Sequence, residues 1–187
     1  MNRITAYIRQ SLQDIYPPEE VKALSMLICC DMLGVDALDI YMGKDIILSA
    51  CKQRELENII FRLQKNEPIQ YIRGYAEFCG RNFRVAPGVL IPRPETAELV
   101  DLIVKENPDA RRLLDIGTGS GCIAISLDKN LPDAKVDAWD ISEEALAIAR
   151  KNNEELDAQV TFRRQDVFSA DGIQGASYDI IVSNPPM

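Results

Sequence analysis

Histidine is absent from all 187 residues. Within this chain that excludes Ser-His-Asp and Cys-His nucleophilic systems and most metal sites, and no metal site is expected. Chemistry here must rest on position and hydrogen bonding, with Asp, Glu, Lys and Tyr left as proton carriers. Paired cysteine spacing is also lacking. The five cysteines, Cys29, Cys30, Cys51, Cys79 and Cys122, contain no C-x-x-C pair. Neither a disulfide framework nor a zinc site is indicated, and small, buried, reduced thiols are expected. No apolar run approaches the roughly 20 residues that cross a bilayer. The richest stretch, Ser25 to Leu33, is cut by Asp31. The start, Met1-Asn2-Arg3-Ile4-Thr5, lacks the basic-then-apolar layout of a signal peptide, so a cytoplasmic location is the expectation.

Positive charge is in short supply. There are 21 basic and 29 acidic residues, a net charge of −8. The surplus sits in the second part: nine basic and ten acidic residues lie up to Arg73, twelve and nineteen beyond it. Such a surface repels phosphate backbones, which disfavours a bulk nucleic-acid binder. What is present, 47% hydrophobic and 27% charged residues, suits a globular chain that can build a core.

The first part reads as helices. Pro17-Pro18-Glu19-Glu20 opens one whose Val21, Leu24, Leu27 and Ile28 recur at helical spacing until Gly34. A short turn is expected over 36–42. A longer helix over 49–64 puts Leu56, Ile59, Ile60 and Leu63 on one face, and Asn66-Glu67-Pro68 stops it. Residues 75–78 and 82–85 flank Cys79-Gly80-Arg81 as a β-hairpin bridging two domains. Pro94-Glu95 begins a helix that ends near Asn107-Pro108. From there strand and helix alternate: strands over 113–116, 135–140, 160–164 and 178–183, helices over 122–130 and 142–155. That alternation indicates a parallel, doubly wound α/β sheet. The expected division is a helical domain over 1–73, a hairpin linker over 74–91 and a ligand-binding domain over 92–187.

Gly117-Thr118-Gly119-Ser120-Gly121 lies between the first strand of this sheet and its helix. Glycines allow a tight turn and let a ligand touch the backbone, and a nucleotide-type ligand belongs at the carboxyl ends of such strands. Cys122 stands where the dinucleotide fingerprint needs glycine, which weakens a nicotinamide reading. Asp140, nineteen positions beyond Gly121, can accept both ribose hydroxyls. Asp166 can accept an adenine amino group, with Val167 against the ring. Any one such acid alone is more often a solvated loop carboxylate. Three strand-end acids, Asp115, Asp140 and Asp166, in register with a glycine loop reverse that reading. No G-K-[ST] follows, which disfavours a triphosphate. A positively charged sulfonium suits a site rimmed by Asp115 and Asp140, so S-adenosylmethionine is the expected cofactor.

The last predicted strand, read as buried, is followed by Asn184-Pro185-Pro186-Met187. Pro-Pro by itself is a common rigid strand ending. Its chemical reading concerns an sp² nitrogen, a poor nucleophile because its lone pair is delocalised. The Asn184 side-chain oxygen and the Pro185 carbonyl, held rigidly, can accept its two N–H groups and aim the lone pair for in-line transfer. No histidine is needed for that.

Several stretches resemble the HemK-type protein-(glutamine-N5) methyltransferases of class I peptide chain release factors. They are Glu67-Pro68-Ile69-Gln70-Tyr71-Ile72-Arg73-Gly74, Glu77-Phe78, the loop Val89-Leu90-Ile91-Pro92-Arg93-Pro94-Glu95-Thr96, Leu114 to Ala124 around the glycines, Asp140-Ile141-Ser142, and Ser183-Asn184-Pro185-Pro186. The loop together with the helical domain is the specific part; the glycine motif is shared by many methyltransferases. The resemblance implies a Rossmann-like class I methyltransferase domain with an incomplete parallel sheet, preceded by a small all-α docking domain. It implies S-adenosylmethionine as cofactor and the glutamine of a Gly-Gly-Gln motif in a release factor as acceptor. Asn184 and Pro185 would be catalytic, with Pro186 and Met187 lining the acceptor. Gly117 to Gly121, Asp140, Asp166, Val167 and Asn184 would bind cofactor, and neither membrane nor nucleic acid is an expected partner. Met187 stands where the family has tyrosine, and Ala97 where it has glutamate. Family chains also continue further, so the last strand here is expected at a sheet edge. Two rival readings are an adenine or guanine amino methyltransferase and a non-enzymatic fragment that binds cofactor or release factor without turnover.

Overall fold

The computed structural model describes residues 2–169 and 177–184. The chain divides into two compact units, Met1–Arg73 and Gly74–Met187.

The first unit is helical. Helix α1 (Arg3–Leu12) is capped by Asn2, whose Oδ1 accepts the Thr5 N–H at 2.9 Å. Ile4, Ile8 and Leu12 fall on one buried face. The sequence reading passed over this helix, although the i, i+4, i+8 spacing behind an asparagine cap is a helical signal. Helix α2 (Pro18–Met26) begins with proline and two acids and runs on into a wider π-type segment over Leu27–Met32. There the Leu33 N–H reaches back to the Ile28 carbonyl at 2.9 Å. An ordinary helix would turn Leu33 well away from Ile28. The wider winding lets both face the core, where Ile28, Cys29 and Leu33 are buried.

Helices α3 (Ala37–Tyr41) and α4 (Ala50–Gln64) are capped by Asp36 and Ser49. Leu56, Ile59, Ile60 and Leu63 of α4 are buried together, and the Tyr16 hydroxyl donates to the Leu63 carbonyl at 2.9 Å. Asn66, at φ 59°, ends that helix, and Pro68 leads into a further short helix, α5 (Ile69–Arg73), that the sequence reading did not separate. Its Ile69 and Ile72 pack against this same core.

In the second unit, strands β1 (Tyr75–Phe78) and β2 (Arg81–Arg84) form an antiparallel hairpin. Its two turn residues, Cys79 and Gly80, both take positive φ (47° and 69°), the geometry that matches strand twist. Phe78 and Phe83 meet edge to face at 6.0 Å and join the core of the sheet. Helix α6 (Pro94–Glu106) precedes the alternating part: β3 (Arg112–Ile116), α7 (Cys122–Asn130), β4 (Lys135–Asp140), α8 (Glu143–Glu155), β5 (Thr161–Arg164) and β6 (Ile180–Ser183). All four of these strands are parallel, in the order β5-β4-β3-β6.

The chain starts in the middle of this sheet, moves outward through β4 and β5, and returns to the other side of β3. A crevice therefore opens at the carboxyl end of β3, where the strand order reverses. Ile116 lies beside Trp139 on one side and Ser183 on the other, so the residues after each strand converge there. Strand β6 pairs with β3 alone, at the edge of the described sheet. Only Val182 of β6 is buried and Ile181 is 56% exposed, so the expectation of a buried strand fails for half its side chains. Cys51 likewise is exposed, unlike the buried thiols expected. No helix of the described residues is long and apolar enough to cross a membrane.

Candidate active site

The loop after β3 is built by its own backbone. The N–H groups of Gly117 and Thr118 both donate to the Trp139 carbonyl, at 2.8 and 3.0 Å, fastening the loop to the end of β4. Gly121 N–H donates to the Thr118 carbonyl at 2.8 Å and closes the turn. The three glycines take φ values of 74°, 55° and 80°, where side chains with a Cβ are strained. Their surroundings differ. A Cβ on Gly117 or Gly119 would meet nothing within 4 Å, so the backbone there lies open to a ligand. A Cβ on Gly121 would sit 3.1 Å from Ala149 Cβ and 3.2 Å from Ile125 Cδ1. Gly121 serves helix packing and does not line the cavity, where the sequence had placed it with the others.

Asp140 is bound at both oxygens. Oδ2 accepts the Gly119 N–H and Oδ1 the Ser142 N–H, each at 2.9 Å. Each oxygen keeps further acceptor capacity, as a pair of adjacent hydroxyls requires. Asp115 was expected beside it on the rim, yet it is only 1% exposed and lies below the loop. Its Oδ2 accepts the Thr118 hydroxyl at 2.6 Å. Burial pushes its carboxyl up to about 6, partly offset by the Thr118 hydrogen bond and the Ala124 amide, with Asp140 adding repulsion. Its place is structural, because a loop turning over the strand end covers it. Burial also drives the Cys122 thiol up to about 12, leaving it protonated and un-nucleophilic at neutral pH.

A cavity of about 790 Å³ opens over these residues. Its floor is Ile116 to Ser120; Asp140 and Ile141 form one side, Gln165 to Phe168 another. Asp166 Oδ1 accepts the Phe168 N–H at 2.9 Å, which shapes this last segment as a tight turn with Val167 and Phe168 largely exposed. Thr96, Ser183 and Asn184 complete the wall with Val89, Leu90 and Arg93. Ser183 is fixed by its hydroxyl, which donates to the Ile116 carbonyl at 2.8 Å. The Asn184 side-chain N–H donates to Thr96 Oγ1 at 2.9 Å. Gly117, Thr118, Gly119, Ser120, Asp140, Asp166, Val167 and Asn184, all singled out from sequence, thus border one cavity. Pro185, Pro186 and Met187 lie outside the described residues. Ala97, in place of the glutamate expected by resemblance, packs against the core.

Leu90, Thr96, Ile141 and Phe168 were not picked out as site residues from sequence. Phe168, an exposed aromatic two residues past a strand-end acid, carried a usable signal; Thr96 carried none.

Comparison with known proteins agrees with this arrangement. Residues 95–187 match the methyltransferase small domain family, and residues 4–74 match the PrmC N-terminal domain family. The second unit is thus a Rossmann-like class I methyltransferase domain. A release factor glutamine methyltransferase of Flavobacterium psychrophilum is 40% identical over 182 residues, spanning 95% of this chain and 64% of that one. Those of Koribacter versatilis and Lactococcus lactis are 50% and 52% identical over 157 and 132 residues, or 82% and 70% of this chain and 55% and 48% of theirs. The chain belongs to the release factor glutamine methyltransferase family. It spans about half to two thirds of the length of these curated relatives.

Proposed function

We propose that this chain methylates, with S-adenosylmethionine, the side-chain N5 of the glutamine in the Gly-Gly-Gln motif of class I release factors. The observation that carries the proposal is the placement of Asn184 on the wall of the same cavity as the glycine loop and Asp140. The cavity's volume falls within the range of roughly 300–1,000 Å³ usual for small-molecule sites. Gly117 and Gly119 leave room for close backbone approach, Asp140 offers acceptors for ribose hydroxyls, and Val167 and Phe168 offer an apolar surface for a ring. Asp140 and Asp166 line this cavity with Arg93, so carboxylates outnumber cations two to one among its described lining residues, which suits a ligand carrying a sulfonium. The residues therefore fit S-adenosylmethionine, which when bound supplies an electrophilic methyl group.

The chain's own work is orientation. Asn184 Oδ1 accepts one N–H of the acceptor amide, and the Pro185 carbonyl, on the family pattern, accepts the other. Two acceptors in fixed places hold the amide nitrogen with its lone pair facing the methyl donor and stabilise positive charge as it develops there. The helical unit docks the protein substrate. A recess of about 500 Å³ lined by Val21, Met26, Ile40 and Tyr41, with Arg9 and Lys22 beside it, supports that role. A translation-linked substrate also supports a cytoplasmic location. The relatives' names favour a protein glutamine over a nucleic-acid base as acceptor.

The test uses labelled cofactor with a release factor and with the same factor carrying its acceptor glutamine as alanine. Label on the first alone is expected. Equal labelling of both would refute the assignment.

A further inference from the structure

Asn184 ends β6, and Thr96 stands in the first turn of α6, 88 positions earlier in the chain. Both border the cavity. Thr96 is buried, at 8% exposure, whereas Asn184 is exposed, so the threonine is the fixed partner and the asparagine the one that needs fixing. A carboxamide has two ends of nearly equal size and opposite hydrogen-bonding sense, and only its neighbours decide which end faces which way. Here Nδ2 donates to Thr96 Oγ1 at 2.9 Å. No donor among the described residues is paired with Oδ1. With its NH₂ end engaged, the amide offers its oxygen as the uncommitted acceptor.

The geometry points to Thr96 as a positioning residue that anchors the Asn184 side chain on the cavity wall through Nδ2, leaving Oδ1 as the acceptor. This rests on the glutamine-methylation reading, in which Oδ1 must meet an N–H of the acceptor. An Asn184 side chain released from Thr96 is free to turn its Nδ2, a donor, toward the acceptor's N–H, and that fraction of the protein would be unable to hold the acceptor amide. Thr96 touches neither reacting atom and works through Asn184 alone. The Ile-Pro-Arg-Pro-Glu-Thr loop thereby gains a defined contact with the Asn-Pro-Pro motif.

The test compares Thr96→Val, which keeps shape and removes the hydroxyl, with Thr96→Ser, which keeps the hydroxyl. Thr96→Val is expected to lower kcat roughly five- to ten-fold, the effect of one neutral hydrogen bond, with KM for the release factor little changed. Thr96→Ser is expected to restore most of kcat. A readout independent of turnover is the ¹⁵N signal of the Asn184 NH₂ group, identified by its loss in Asn184→Ala. In Thr96→Val that signal should shift and exchange with solvent faster; in Thr96→Ser it should keep its place. Wild-type kcat in Thr96→Val, an unmoved amide signal, or equal losses in the valine and serine variants would overturn the inference. A wild-type protein that leaves release factor unlabelled would instead refute the substrate reading, while the amide signal still decides what Thr96 holds.

Discussion

The Asn152 side-chain amide donates to the Ser120 carbonyl at 2.8 Å, tying helix α8 to the glycine loop. The same side chain accepts the Arg84 N–H at 2.7 Å and donates to the Arg84 carbonyl at 3.1 Å. Asn152 is 1% exposed and has all its bonds within one unit, so hairpin, helix and loop share one buried fastening. Replacing it by leucine keeps the volume and strands three backbone groups. Asn152→Leu is expected to destabilise the fold by about 3 kcal/mol, read from urea unfolding. A loss below about 0.5 kcal/mol would mean that water or a shifted backbone satisfies those groups.

Asp140 makes a separate prediction about binding. Asp140→Ala removes the acceptors for ribose hydroxyls and also the partner of the Gly119 N–H. Cofactor affinity measured by calorimetry should fall roughly ten- to hundred-fold, the range for hydrogen bonds to a charged group. Unchanged affinity would remove Asp140 from the binding site.

The glycines should separate by environment. Gly117→Ala meets open space and bears only the left-handed backbone penalty of about 1–2 kcal/mol. Gly121→Ala bears that penalty and also presses into Ala149 and Ile125, so its thermal midpoint should fall further. For cofactor binding the order should reverse, with Gly117→Ala the more harmful because its Cβ would occupy the ligand side. Equal effects on both measurements would contradict the division of roles.

Asp115 predicts a pH slope. Its carboxyl is raised from 3.8 to about 6 in the folded protein, chiefly by burial. Between those values the folded form keeps a proton that the unfolded chain releases. The contribution of this group to stability is therefore fully present below the unfolded value and is lost as pH rises through about 6. Asp115→Asn, which can still accept from Thr118, should flatten that part of the stability–pH curve and stabilise the protein at pH 7 by up to about 3 kcal/mol, the worth of a shift of this size. A variant with an unchanged slope between pH 4 and 6 would show that another group titrates there.

Much of this architecture was readable because strands and helices of the second unit differ in period and are separated by glycine, proline and aspartate. The succession of β3, α7, β4, α8 and β5 along the chain follows from that alternation, and the convergence of the glycine loop, Asp140 and Asn184 from placing such residues at the carboxyl ends of parallel strands. Helix α1 is as readable, through the i, i+4, i+8 spacing of Ile4, Ile8 and Leu12 behind Asn2. Pro68 reads as part of a helix stop but leads into α5, since proline suits a first turn as well as a stop, while Asn66 at positive φ is what ends α4. The π-type winding at Leu27–Met32 could not be read, because it depends on which side chains the core receives. The Thr96–Asn184 and Asn152–Ser120 bonds join residues 88 and 32 positions apart. No local pattern encodes them; only the folded sheet with its helices brings them together.

The bonds that hold Asp140 also bear on how the site takes up its ligand. Its carboxylate is clasped by Gly119 and Ser142, both internal to the protein, so the crevice does not wait for a guest before acquiring its shape. Little loop entropy is then surrendered on association, and the arriving molecule mainly displaces solvent. Uptake should accordingly look like docking into a rigid mould, with a rate set by encounter and a lifetime set by the contacts made inside.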